Sequence, residues 1–358
     1  MDFGLNDDQA MLKTLIERFV ADRYPSGARS GYRAASAGFS NENWALLAEL
    51  GVLSLPFAEP DGGLGGGAVE IATVMEEIGH GLVAEPLLDC LLVGGGLIAH
   101  AGTAPQRQAW IGRIMAGEAQ VALAWAEHGT RFDLDRPATI FSDGALHGAK
   151  TLVAGAADAY VVTATDRGVA KLFLVAADAS GLHRRDYRLV DGSIACELAM
   201  DGIAAEPMAA GLETLSAVAD RARLAASAEM VGIMTLLFDT TLDYVRQRQQ
   251  FGVAIGSFQA LQHRLADQYA ALEQARSQLY RAMLAEPDEA QAAIAAAKSY
   301  ISTAAVRLGE ECIQLHGGMG VSDELDLGHG HKRILRLASY FGDAAHELQR
   351  YDRARRAG

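Results

Sequence analysis

Little in this chain points toward an oxidising compartment, a polyanion or a bilayer. Its three cysteines, Cys90, Cys196 and Cys312, are odd in number, far apart and in no metal spacing, which argues against a disulfide framework and fits a reducing cytoplasm. A basic surplus is missing: 31 Lys and Arg stand against 45 Asp and Glu, a net charge of -14. A field of that sign repels nucleic acid and anionic membrane surfaces, so any anionic ligand must be held by a few local groups. No apolar run reaches the length of a membrane span, and the acidic start MDFGLNDDQA lacks the basic and apolar blocks of a signal peptide. Neither nucleic-acid binding nor membrane insertion is expected. What the chain has is bulk: 358 residues, half of them apolar, enough for a large core spread over two or three domains.

The texture changes twice along the chain. Asn6 followed by Gln9 reads as a capping box, and Leu12, Leu15, Ile16 and Phe19 then recur at helical spacing. Trp44, Leu47 and Leu50 mark a second helix stopped by Gly51, and patterns at 68 to 88 and 105 to 117 predict two more. From Gln120 to Met208 short apolar or alternating runs take over (VALAWA, ATIF, AYVVTAT, KLFLVAA), cut by Asp-Gly and Gly turns. They predict antiparallel strands in a barrel or sandwich. After residue 210 long helical patterns rich in Ala, Leu, Glu, Gln and Arg return, broken at Pro287 and at Gly317-Gly318. The expected class is α+β, in the order helical (1-118), β (119-208), helical (209-358).

Two motifs are set aside. GGLGGGA contains a G-x-G-x-x-A match at Gly63, Gly65 and Ala68, but a dinucleotide fingerprint needs a parallel βαβ unit, and the following 50 residues read as helix. A surface loop is expected. GHGHK sets His329 and His331 two apart, with His316 and His346 not far off in sequence, yet no acid or cysteine stands at a ligand spacing, so no metal is expected.

Two segments carry the chemistry: RQRQQFGVAIGSFQALQHRLAD at 246-267 and QLHGGMGVSDELDLGHGHKR at 314-333. Together, and with MDFGLNDDQAMLKTLIERFVADRY, LPFAEPDGGLGGG and GAKTLVAGAADAYVVTA, they resemble the acyl-CoA dehydrogenase family over the whole chain, and within it the small subunits of pimeloyl-CoA dehydrogenases most of all. The resemblance implies an N-terminal helical domain, a central antiparallel β domain and a C-terminal four-helix bundle with oligomer contacts. It also implies FAD, held across a subunit interface by Arg248, Gln250, Phe258, Gln259, Gln314, Leu315, His316, Gly317 and Gly318. The residue types suit such a ligand. A guanidinium fork and side-chain amides match a pyrophosphate, Phe258 offers an apolar face, and a double glycine lets backbone N-H groups approach phosphate oxygens. Phe251 is expected in the core.

The family's reaction removes the α-proton of an acyl-CoA with a carboxylate and passes hydride from the β-carbon to the flavin, so a base in a water-excluded site is required. The family's two base positions fall on Phe341 and Ala222, neither of them acidic. Glu229, two turns beyond Ala222 on the same helix face and about 10 Å further along, and Asp343, two residues past Phe341, are the chain's own candidates. A partner subunit supplying the base is the preferred expectation; loss of chemistry is the fourth. Asp220 and Arg223 match family positions lining the acyl-CoA site, where a cation stabilises enolate charge; an exposed helix salt pair is the plainer reading. In the first β segments Glu127, Gly129 and Asp133 match the family, whereas Leu152 and Ala154 stand for its Trp and Thr, with Thr130 offering a hydroxyl. Expected partners are an acyl-CoA substrate, a homo- or hetero-tetramer with a second acyl-CoA dehydrogenase subunit, and electron-transfer flavoprotein as acceptor. Three functions follow: a dehydrogenase, a non-catalytic subunit completing another chain's FAD site, and an oxidase-type flavoprotein.

Overall fold

Local chemistry at the start of the chain settles its first helix. The Gln9 amide donates to Asn6 Oδ1 at 2.8 Å and the Asn6 amide donates to Gln9 Oε1 at 3.0 Å, and α1 (Asp7–Arg23) follows with Ile16 and Phe19 buried. The computed structural model describes residues 4–25, 27–155 and 157–357. Next come α2 (Ala28–Ala34) and α3 (Asn41–Glu49), the latter capped by Ser40 and stopped at Gly51, whose φ is 78°. Then α4 (Ala68–His80) ends before its apolar pattern does, because Leu82 turns left-handed at φ 47°. A π-helical run at Leu87–Gly95 passes into α5 (Gly96–Ala101), and α6 (Ala104–Met115) carries a second reciprocal cap, Thr103 with Gln106. Periodicity gave no sign of the π-helical run.

The glycine-rich loop precedes α4, and among the described residues no strand comes before it; residues 52–54 form a turn of 3-10 helix. Side chains at Gly63 or Gly66 would overlap Phe57 and Leu55. Its glycines therefore serve close backbone packing, as a surface loop and not a dinucleotide fingerprint.

Among the described residues eight strands make the β part: β1 (Val121–Ala124), β2 (Ile140–Ser142), β3 (Ala145–Ala154), β4 (Ala159–Asp166), β5 (Val169–Ala176), β6 (Leu182–Arg188), β7 (Ile194–Ala204) and β8 (Glu206–Pro207). Their order is β6-β7-β3-β2-β4-β5-β8, with β1 beside β4. Most pairings are antiparallel, but β1 and β2 both run parallel to β4. The apolar run of β1 is buried at all four residues, the pattern of a strand covered on both faces. Tyr160, Val162, Phe173, Cys196 and Leu198 form the centre of this core, which Cys90 of the π-helical run joins.

The C-terminal part contains α7 (Leu212–Gln247), a two-stranded ribbon of β9 (Gln249–Gln250) and β10 (Val253–Ala254), α8 (Gln259–Met283), α9 (Ala290–His316), α10 (Asp326–Ala338) and α11 (Ala344–Ala357). The helices α8, α10 and α11 all pack on α9. By contact the chain forms two compact units: one holds the residues up to Gly31, 68–83 and those from Arg223 on, the other Tyr32–Gly67 and Ala84–Ala222. Glycines explain why α4 belongs with the C-terminal helices. A Cβ at Gly79 would overlap the carbonyl of Glu229, and one at Gly232 the carbonyl of Glu76, so the backbones of α4 and α7 touch on both sides of the crossing. Of the described helices α7 alone has the length and apolarity to cross a bilayer, yet 78% of that stretch is buried in protein, as in a core helix.

Candidate functional site

The first predicted segment is a helix end, a ribbon and a helix start. At the end of α7 the Arg248 amide donates to the Tyr244 carbonyl, and the Ile255 amide donates to the Arg248 carbonyl, each at 2.8 Å. Between them β9 and β10 pair with Gln250 opposite Val253. The two tip residues, Phe251 (φ 57°) and Gly252 (φ 82°), are both left-handed, as a tight two-residue hairpin turn requires. This geometry lifts Phe251 off the protein: it is 92% exposed, its edge 6.2 Å by ring centroid from Phe258. The expectation of a core Phe251 is therefore corrected, because a tip side chain in a left-handed turn has no protein behind it. Arg248, Gln250, Phe258 and Gln259 are also exposed. Gln250 Nε2 turns back to the Gln249 carbonyl at 2.8 Å, and among the described residues the Arg248 guanidinium meets no acid.

The second segment is the end of α9. Gln314, Gly317 and Gly318 are exposed, whereas Leu315 and His316 are buried. Gly317 has φ 61° and ψ -139°, a conformation L side chains rarely adopt, and both glycines have open space where a Cβ would stand. That bare, outward backbone fits phosphate oxygens. His316 plays a different part. Its ring stacks on Tyr244 at 4.1 Å, and Nδ1 donates to the Cys312 carbonyl at 2.9 Å. Burial holds it below the usual histidine range against the opposing pull of that bond, so it stays neutral near pH 7. Tyr244 stands one turn before Arg248 and His316 immediately before Gly317, so this stack fastens the two segments side by side. Around them Val253, Met319 and Val321 add exposed apolar surface, a kind of patch that marks an interaction site.

The carboxylates proposed as base are engaged elsewhere. Glu229 is buried in a two-point ion pair with Arg333 of α10, Oε1 to Nε at 2.6 Å and Oε2 to Nη2 at 3.0 Å. Asp343 caps α11: its Oδ1 accepts the His346 amide at 2.8 Å and its carbonyl accepts the Glu347 amide at 2.9 Å. Phe341, where the resemblance leads one to expect the family's base, is buried with φ 54°, its ring 4.7 Å from that of Tyr340. Arg223 is no exposed salt pair. Buried, it donates through Nε to Glu347 Oε1 and through Nη2 to the Phe341 carbonyl, each at 2.8 Å. Asp220 lies three residues earlier on α7.

In the β part the loop after β1 is held by charge. Glu127 accepts from Lys150 Nζ at 2.6 Å, from Thr139 Oγ1 at 2.7 Å, and from the amides of Ala138 and Thr139. Burial brings the Lys150 amine down to about 8; burial would raise Glu127, but its hydrogen bonds outweigh that and lower it. Thr130 Oγ1 donates to the Glu127 carbonyl at 3.0 Å, and Leu152 is exposed at φ 55° with its amide donating to Tyr187. Thus Glu127 clasps the loop. Replacing Lys150 by methionine is expected to cost about 3 kcal/mol in urea unfolding by leaving a buried carboxylate without its cation; a loss under about 0.5 kcal/mol would show the loop to be held by amides alone.

Among the described residues no group of three or more His, Cys, Asp or Glu is placed to hold a metal ion, and His329 Nε2 lies 3.2 Å from the Asp323 carbonyl. Sequence reasoning missed Glu347 and Lys298, both completely buried beside the Phe341 turn. The lysine left one trace, a lone charge inside the otherwise uncharged, mostly apolar AIAAAKSYI.

Comparison with known proteins identifies the family and the fold. Residues 6–118 match the model of the acyl-CoA dehydrogenase N-terminal domain and residues 209–357 that of the C-terminal domain. The chain is 30% identical to the acyl-CoA dehydrogenase IpdE2 of Mycobacterium tuberculosis, over 92% of this chain and 93% of that one. It is similar in structure to the ChsE4-ChsE5 complex from the same organism, with a TM-score of 0.91, 26% identity and all of both chains covered. A structure of PigA with FAD and proline aligns with a TM-score of 0.90 at 25% identity, over 99% of this chain and 98% of that one.

Proposed function

We propose, from the premise that this chain belongs to the FAD-dependent acyl-CoA dehydrogenase family, that it works as one subunit of a hetero-oligomeric dehydrogenase whose partner supplies the base. The observation that carries this reading is the exposed pair of junctions stapled by Tyr244 and His316. Arg248, Gln250, Gln259, Gln314 and the backbone of Gly317 and Gly318 would hold the phosphates of an FAD at a contact between subunits, with Phe258 against a ring face. Leu315 and His316 support that surface from below. FAD, when bound, supplies the acceptor for the hydride leaving the β-carbon. The exposed Phe251 fills an apolar pocket on the second chain, a typical anchor for an interface.

For the acyl-CoA this chain offers the turn at Phe341, whose carbonyl accepts from Arg223. With Glu229 and Asp343 engaged as ion pair and cap, the α-proton goes to a carboxylate of the partner, a second acyl-CoA dehydrogenase subunit; the similar ChsE4-ChsE5 structure is itself a complex of two named components. A tetramer is the proposed assembly and electron-transfer flavoprotein the proposed acceptor. Three free, buried cysteines suit a cytoplasmic setting.

Co-purification tests the reading. The chain alone is expected to be colourless, and the chain expressed with its partner dehydrogenase subunit to carry FAD and be bleached anaerobically by an acyl-CoA. Full flavin and turnover in the isolated chain would overturn it, and rapid reoxidation by oxygen would point to oxidase chemistry.

A further inference from the structure

The turn that carries Phe341 rests on buried charge from three helices. Lys298 of α9 is completely buried, and its Nζ lies 3.1 Å from Ser302 Oγ, 3.1 Å from the Ala338 carbonyl and 3.3 Å from the Gly342 carbonyl. Ala338 is the last residue of α10 and Gly342 lies in the turn, so one amine ties the helix end to the turn. The charged groups around it are Arg223 from α7, Asp343 from the turn and Glu347 from α11, while α10 contributes its carbonyl. Glu347 is already bonded to Arg223 and to Arg350 Nη1, both at 2.8 Å, and its neighbour His346 faces the same cluster. Lys298 thus sits among carbonyls and a hydroxyl, with no carboxylate among the described residues bonded to it.

That donor count is informative. An ammonium brings three N-H donors to three acceptors; a neutral amine brings two donors and a lone pair. Ser302 reconciles the two states, because a hydroxyl can accept from the ammonium or donate to the amine while both carbonyls keep their donors. Burial brings the amine down to about 7, with Glu347 pulling it up and Arg223 adding to the fall.

We propose that Lys298 is a positioning residue for the Phe341–Gly342 turn, and that opening of this turn takes up one proton at its amine. The inference rests on the turn alone, and flavin or partner binding does not enter it. An open turn hydrates the amine and restores its ordinary value of 10.5, while the closed turn holds it near 7. Between those values the open form binds the extra proton, so opening is favoured as pH falls toward 7 and becomes harder above it, by at most about tenfold per pH unit. Below about 7 both forms are protonated and the dependence ends. Burial also holds His346 under its usual range.

Amide exchange of the Ser339–Asp343 segment in the purified chain, corrected for the intrinsic rate, reads the opening directly. The expected profile is flat from pH 6 to 7 and falls by about tenfold per unit above it, with no such slope in α8. Lys298→Met removes the slope, and Ser302→Ala moves the break to lower pH, because the ammonium loses a charge-assisted acceptor worth more than the donor lost by the neutral amine. If Lys298→Met does not fold, the wild-type and Ser302→Ala profiles decide. A flat wild-type profile, a slope shared by α8, a slope surviving in Lys298→Met, or an unmoved break in Ser302→Ala overturns the proposal.

Discussion

Replacing Glu347 by alanine is expected to lower stability by about 3–5 kcal/mol, the range for removing one partner from a buried ion pair. The cost comes less from the lost bonds than from what they leave behind. Arg223 and Arg350 each donate to this carboxylate at 2.8 Å, and a guanidinium cannot relieve its charge by releasing a proton. Glu347 is completely enclosed, so water cannot take its place without opening the turn. Glutamine should lose less, since it fills the same space and keeps an acceptor oxygen. Chemical denaturation of the purified chain measures both. A loss below about 1 kcal/mol in Glu347→Ala, the scale of an exposed pair, would mean the charges find water readily.

The second large effect concerns flavin retention. Removing Arg248 together with Gln259 is expected to weaken FAD binding in the assembled complex by about 60- to 700-fold, taking roughly 1.5–3 kcal/mol for a charge-assisted hydrogen bond and about 1 for a neutral one. Stability should hardly change, because both side chains are exposed. A Gly317→Val variant is expected to combine the same loss with backbone strain, since φ 61° with ψ -139° suits no β-branched residue. Flavin absorbance after gel filtration gives the occupancy. A doubly substituted complex that stays as yellow as the wild type would remove these junctions from the flavin site.

How much of this could be read beforehand depends on where each residue finds its partner. The cap at Asn6 and Gln9, the succession of helical, β and helical texture, and the two signature segments involve neighbours in sequence, and all were legible. Phe251 was not. An aromatic residue in a sequence looks the same whether its cover comes from its own chain or from another, and only the left-handed turn shows that it points outward. Glu229 with Arg333, and Arg223 with Glu347, stand 104 and 124 residues apart, beyond any helical spacing rule. The parallel pairing of β1 and β2 with β4 escaped for a related reason: strand runs and turns report length and burial, while direction depends on which strand lies alongside. The π-helical run at Leu87–Gly95 has no periodic signal separable from an ordinary buried helix.

The stacked rings of Tyr244 and His316 carry a kinetic consequence. Two mobile loops that met a partner independently would each surrender conformational freedom on association, slowing productive encounter and weakening the result. Here that freedom is already gone when the monomer folds, and the neutral imidazole keeps the stack intact across the physiological range. The ribbon and the double glycine therefore form a single preformed surface, which in the proposed assembly would dock in one orientation or not at all.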